Sequence, residues 1–131
     1  MHYFTIEQRD SLQQQLTASA ARLRGEIDSA LRQSGDPAAI RLANHFNEVD
    51  DWAVADLETS LDIASIERDL RELALVEGAL ARIHTPEFGI CDDCGVEIPF
   101  LRLQANPGAT RCIHCQEKSE RNERPGAPSK L

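Results

Sequence analysis

The four cysteines of the chain are the residues whose type and spacing indicate chemistry. They form two Cys-x-x-Cys pairs, Cys91 with Cys94 and Cys112 with Cys115, separated by seventeen residues. This arrangement is typical of a zinc site, because each pair lies on a tight turn that presents two sulfurs to a tetrahedral metal. Four thiolates leave no open coordination position, so we expect one structural Zn²⁺ and no metal-based catalysis.

Paired cysteines also form disulfide bonds or redox motifs of the thioredoxin type. Nothing at the N-terminus resembles a secretory signal, so we expect a reducing cytoplasm, where disulfides do not persist. A thioredoxin-type motif should occur once and follow a βαβ pattern. His114 lies inside the second pair, but with four sulfurs available we interpret it as solvent-facing or as a neighbour of the ligands.

The composition argues against DNA binding, membrane insertion and catalysis. Of the formal net charge of −8, all is carried by residues 1–90, with sixteen acids against eight Lys and Arg, whereas residues 91–131 carry six of each. Neither part has the basic stripe that neutralises DNA phosphates. No apolar run approaches the roughly eighteen residues that a membrane span needs. The four histidines are scattered, without a nearby nucleophile in a recognisable arrangement, so we expect no enzyme.

Two long amphipathic helices are predicted to position the zinc site. Thr5 and Gln8 form a capping-box pattern, and apolar residues then recur at steps of three and four, which predicts a helix of about thirty residues ending before Ser34-Gly35-Asp36-Pro37. Asp36-Pro37 can begin a short helix covering residues 38 to about 46. A second long helix is predicted over residues 53–83.

Matched lengths and single apolar faces predict a mainly α fold with a long antiparallel helical hairpin, or coiled coil, and a small C-terminal four-cysteine zinc-finger module. Pairing of the helices between chains is the alternative, and we favour a monomer. The predicted parts are a hairpin over residues 1–84 with an acidic tip around 36–53, a zinc module with a C-terminal helix over 85–122, and a flexible tail over 123–131. In the module we predict a strand at 96–99, a turn at 106–108 and a helix over about 115–121.

The acidic tip combines carboxylates with the only tryptophan of the chain. Residues 48–62 contain six acids and neither Lys nor Arg. The dipole of the following helix favours carboxylates at its start, which explains Asp50 and Asp51. It does not explain Trp52 among them, or the small Ala53 beside it. Acids and an aromatic side chain at the end of a long arm suit insertion into a cavity.

The segment Phe88-Gly-Ile-Cys-Asp-Asp-Cys-Gly-Val-Glu-Ile98, followed by Arg102-Leu103, Pro107 and the second cysteine pair, resembles the C4-type zinc finger of the DksA/TraR family. The resemblance is strong over residues 87–115. Extended back without gaps, it places Glu48, Asp51 and Ala53 on the family's tip signature, Asp-x-x-Asp-x-Ala. Glutamate replaces the first aspartate of that signature.

The resemblance implies a bacterial transcription regulator that binds RNA polymerase and not DNA. The hairpin would enter the secondary channel, so that Asp51, supported by Glu48, approaches the polymerase active site. Ala53 would allow close approach, and Trp52 would add an apolar contact beside Asp50.

Family members that respond to ppGpp present basic residues where this chain has Leu75, Asn106 and Gln116, so we expect weak or absent ppGpp dependence. A zinc-stabilised helical adaptor that binds another protein is the alternative function. An adaptor of that kind has no need of Asp51 and Ala53 at this spacing.

Overall fold

The computed structural model describes residues 4–49, 53, 54, 57 and 62–123. In this part the chain forms the helices α1 (Ile6–Gln33), α2 (Pro37–Asn44), a 3-10 helix (Phe46–Glu48), α3 (Ile63–Arg82), α4 (Phe100–Ala105) and α5 (Ile113–Glu123). An isolated antiparallel bridge joins Ile90 to Glu97, in place of the strand predicted at residues 96–99. The mainly α class is confirmed. None of the described helices is both long enough and apolar enough to span a bilayer.

Helix α1 begins and ends where its sequence predicts. The backbone N–H of Gln8 donates to Thr5 Oγ1 over 3.0 Å, and the backbone N–H of Thr5 donates to Gln8 Oε1 over 3.1 Å. Both bonds satisfy N–H groups that have no partner inside the helix. At the other end Gly35 has a φ of +72°, a conformation that favours glycine after a helix. The 28 residues of α1 span about 42 Å.

The hairpin core lies between α1 and α3. The buried side chains of this seam are Leu12, Leu16, Leu23, Ile27 and Leu31 of α1 and Ile66, Leu73, Val76 and Ala79 of α3. Partly exposed ion pairs flank the seam, among them Arg22 with Glu72 at 3.8 Å and Arg24 with Glu77. Exposed pairs contribute at most about 1 kcal/mol each, so burial of the apolar stripes holds the two helices together.

The second long helix begins later than its sequence pattern predicts. Helix α3 starts at Ile63, and the prediction of one helix over residues 53–83 is wrong at its N-terminal end. The cause is Asp62, whose Oδ1 accepts the backbone N–H of Ser65 over 3.1 Å in an N-cap. Its ψ of 81° takes the backbone out of the helical region. The arms are therefore unequal, with 28 residues in α1 and 20 in α3.

At the far end of the hairpin the chain turns at Gly35, and α2 folds back along α1. Asp36 caps α2 by accepting the Ala38 N–H over 2.9 Å, and Pro37 is its first residue, as predicted. Beyond α2, the Phe46 ring centroid lies 5.1 Å from the guanidinium carbon of Arg24. Arg24 precedes the end of α1 by nine residues, about 14 Å along the axis.

Residues 37–48 therefore lie beside α1 and do not form an open loop beyond its end. Ala39 and Ala43 of α2 are buried, and so are Val54 and Leu57 farther along the chain. The described residues at this end of the hairpin thus form a packed head, whose buried side chains belong to the same hydrophobic core as the seam. The short helix predicted over residues 38 to about 46 is present as α2, and the structure adds that it packs against α1.

The cysteine-bearing module is seated on the base of the hairpin. The Phe4 ring lies 5.8 Å from that of Phe88 and 6.2 Å from that of Phe100, centroid to centroid. Gln15 Nε2 on α1 donates to the carbonyl of Gln104 over 2.9 Å. Leu103 of α4, a helix that the sequence analysis missed, is completely buried. These contacts fix the orientation of the module relative to α1.

Candidate metal centre and acidic segment

The first cysteine pair lies on a tight turn. The Cys91 N–H donates to the Val96 carbonyl over 2.8 Å, and the Gly95 N–H donates to the Cys91 carbonyl over 3.0 Å. Gly95 has a φ of +77°, which a residue with a side chain adopts only with strain. The turn therefore folds back on itself and directs the sulfurs of Cys91 and Cys94 to one side.

The second pair lies at the start of α5. The Gln116 N–H donates to the Cys112 carbonyl over 2.9 Å in the first turn, and the Cys115 N–H points at the Cys112 Sγ over 3.4 Å. A hydrogen bond connects the two turns: the Asp92 N–H donates to the Thr110 carbonyl over 2.8 Å. An ion pair between Arg111 and Asp93, at 2.9 Å, lies beside it.

The fold brings the four sulfurs into one cluster. All four Sγ atoms lie within 4.8 Å of one another, and the Sγ atoms of Cys94 and Cys112 are 3.8 Å apart. A tetrahedral Zn²⁺ with bonds of about 2.3 Å to sulfur separates its ligands by about 3.8 Å. All four cysteines are free of disulfide bonds. The sulfurs therefore have the spacing that a tetrahedral zinc ion needs.

The thiols influence one another strongly. Burial raises the pKa of Cys91, but backbone hydrogen bonds from Cys112, Cys94 and Asp93 outweigh it and lower that pKa to about 6. A hydrogen bond with the Cys112 side chain, together with burial, raises the pKa of Cys115 to about 12. Neighbouring thiolates repel one another at this site, and a divalent cation bound among them would offset that repulsion.

Gly89 connects the metal cluster to the aromatic contacts at the base. Its carbonyl accepts the Ile98 N–H over 2.7 Å, which closes the loop around the first cysteine turn. Its φ is +84°, and a Cβ at this position would lie 2.5 Å from Cε2 of Phe4. Only glycine fits here. No local sequence pattern indicates this requirement, because it arises from contact with a residue more than eighty positions away.

The predicted tip residues are only partly described. Glu48 is the last residue of the 3-10 helix, and Ala53 is half-buried in a helical turn next to the buried Val54. Asp50, Asp51 and Trp52 lie outside the described residues. His114 is exposed beside the cysteine cluster, in agreement with its interpretation as a solvent-facing residue.

Comparisons with known proteins all identify the same family. The model of the prokaryotic dksA/traR C4-type zinc finger matches residues 86–121, which include all four cysteines. The RNA polymerase-binding transcription factor DksA of Salmonella typhimurium is 31% identical over 122 residues, which cover 93% of this chain and 78% of that protein. The factor of the same name from Escherichia coli K12 is 33% identical over 109 residues, covering 83% and 69%.

A solved structure has a similar fold. The structure of transcription factor DksA2 from Pseudomonas aeruginosa superposes with a TM-score of 0.62 and covers 92% of this chain and 89% of that one, at 24% identity. These relatives are named as transcription factors and the family model is that of a C4-type zinc finger, in agreement with the prediction that the chain is not an enzyme. The family match and the cysteine cluster together support a structural zinc ion.

Proposed function

This chain belongs to the DksA/TraR family, and we propose that it is a bacterial transcription regulator that binds RNA polymerase directly. One observation carries the proposal: relatives named for binding RNA polymerase match 93% of the chain, hairpin and zinc module together. A resemblance confined to the zinc module would support the site alone. We further propose that the protein acts as a monomer in the cytoplasm, where RNA polymerase works.

The hairpin is proposed to enter the secondary channel of the polymerase. Helix α1 is about 42 Å long, and two packed helices are roughly 20 Å across, which gives the arm the form of a narrow rod. The zinc ion would hold the two cysteine turns together, with Cys91, Cys94, Cys112 and Cys115 as ligands. The zinc module, docked on the base of the hairpin through Phe4 and Gln15, would then rest on the rim of the channel.

The acidic segment, residues 48–53, is proposed to act near the polymerase active site. Asp51 is the principal acid in this proposal. Glu48 has one methylene more than the aspartate of the family signature, so its carboxylate has a longer reach. Ala53 allows a close approach, while Asp50 adds charge and Trp52 an apolar contact. We do not propose direct DNA binding, because the net charge of −8 on the chain opposes contact with the negatively charged phosphates of DNA.

We expect ppGpp to have little influence on this protein. Binding a guanosine polyphosphate calls for Arg or Lys at the phosphates, and Leu75, Asn106 and Gln116 are uncharged. The nearby Arg102 is engaged, because its Nε donates to the Arg111 carbonyl over 3.1 Å. Calorimetric titration of the polymerase complex with ppGpp should show no site dependent on this protein. A ppGpp site that Arg102→Ala removes would contradict this expectation.

A binding experiment with the purified chain and core RNA polymerase tests the proposed partner directly. The chain should be retained by immobilised core polymerase, and an excess of another factor that occupies the secondary channel should displace it. Retention without displacement would favour the helical adaptor, which contacts its partner elsewhere. Absence of retention at micromolar concentrations would overturn the proposal.

A further inference from the structure

A short stretch of chain directly precedes the acidic segment. We call Pro37–Glu48 the fold-back segment, because it returns along α1 after the turn at Gly35. Its helix, α2, has eight residues, too few to be stable without contacts to the rest of the protein. Helix α2 buries Ala39 and Ala43 completely or nearly so, whereas Leu42 is only partly buried against the core. The contact made by the Phe46 ring near the end of the segment therefore contributes to holding the segment against α1.

That contact is made by Arg24. The guanidinium carbon lies 5.1 Å from the centroid of the Phe46 ring, and Nη2 of the same group forms an ion pair with Glu77 of α3. A guanidinium group can do both, since its face stacks on an aromatic ring while its edge donates hydrogen bonds. Arg24 thus joins α1, α3 and the 3-10 helix at one point.

Arg22 provides an internal comparison. It lies on the same helix, its side chain is 54% exposed against 45% for Arg24, and it pairs with Glu26 and Glu72. It also reaches α3, but it takes no part in the contact with Phe46. Loss of a positive charge, or of an ion pair to α3, should therefore have the same effect at Arg22 as at Arg24.

We propose that Arg24 is a positioning residue that, through Phe46, holds the fold-back segment against α1 and so sets the position of the acidic segment. Glu48 belongs to the same 3-10 helix as Phe46, so the acidic segment starts two residues from the contact. The consequence for transcription rests on the proposed function, whereas the contact itself does not.

Hydrogen exchange followed by mass spectrometry tests the contact without polymerase. In Arg24→Ala the amides of residues 37–48 should exchange about two- to fivefold faster, the factor expected from loss of one exposed cation–π contact. Phe46→Leu should show the same increase, and the double variant should show no more. Arg24→Lys should restore part of the protection, and Arg22→Ala should leave it unchanged. Equal effects of Arg24→Ala and Arg22→Ala, or no effect of either, would overturn the proposal.

Transcription assays then separate the contact from its proposed consequence. Arg24→Ala should bind core polymerase like the unaltered chain but change open-complex lifetime less, whereas Arg22→Ala should behave like the unaltered chain. Faster exchange with an undiminished effect on transcription would refute the positioning role. If the unaltered chain has no effect on transcription, the proposed function fails, and the exchange data alone decide whether Arg24 holds the segment.

Discussion

Replacing Cys91 with serine is expected to abolish zinc binding and to unfold the zinc module. A serine hydroxyl stays protonated at neutral pH and does not replace a thiolate ligand. Apart from the metal cluster, the described part of this module has two short helices and one β bridge. This is too little structure to keep the module folded without the metal. Structural zinc contributes on the order of 10 kcal/mol in small zinc-binding domains, so its loss exceeds what the contacts through Phe4 and Leu103 can offset.

Metal analysis and NMR spectra of the amides of residues 86–121 measure this result. The unaltered chain should contain one zinc per molecule, and Cys91→Ser less than a tenth of that. Removal of zinc with a chelator should shift the same amide signals into the narrow range of chemical shifts of an unfolded chain, and added zinc should restore the original spectrum. His114→Ala is the matched control, because it alters an exposed side chain within the second cysteine pair and should retain the metal. A Cys91→Ser protein with full zinc content and native spectra would contradict the assignment.

Replacing Asp51 with asparagine is expected to abolish the effect on transcription while leaving polymerase binding nearly unchanged. Asparagine has almost the same shape as aspartate but carries no charge. If the acid acts near the active site, the variant should give open-complex lifetimes equal to those without the factor. In the proposed complex the helices and the zinc module would supply most of the contact area, so removal of one charge should alter affinity by less than about fivefold, or about 1 kcal/mol.

Open-complex lifetimes and retention on core polymerase, measured with the same preparation, test this expectation. Asp10→Asn is the control, since it removes one carboxylate from an exposed position near the start of α1. It should change neither quantity. Parallel loss of binding and effect in Asp51→Asn would mean that the residue contributes to docking or folding, and an unchanged effect would remove the acid from the mechanism.

The parts of the molecule governed by local chemistry could be predicted from sequence. The two cysteine pairs predicted a four-sulfur cluster, and the Thr5 and Gln8 side chains predicted the start of α1. The end of α1 followed from Gly35 and the proline after it. In each case the residues that determine the structure lie within a few positions of one another, or have a spacing specific to one metal geometry.

The features that were missed depend on competition or on distant contacts. The apolar stripe before α3 suggested a continuous helix, but the N-cap at Asp62 begins a new one. Helix α4 has six residues, too few for a periodic pattern to reveal it. The fold-back of α2 brings Phe46 against Arg24, and these two residues are far apart in the sequence. No local pattern encodes that pairing, so the packed head of the hairpin emerged only from the structure.

We propose that the acidic segment reaches the interior of RNA polymerase. A photo-crosslinking amino acid in place of Trp52 tests it most directly, with the same amino acid in place of Asp10 as the control. We expect the probe at position 52 to crosslink to polymerase residues that line the secondary channel near the active site, and a competing channel factor to suppress the product. Crosslinks from position 52 to the outer surface of the polymerase alone, unaffected by that competitor, would contradict it.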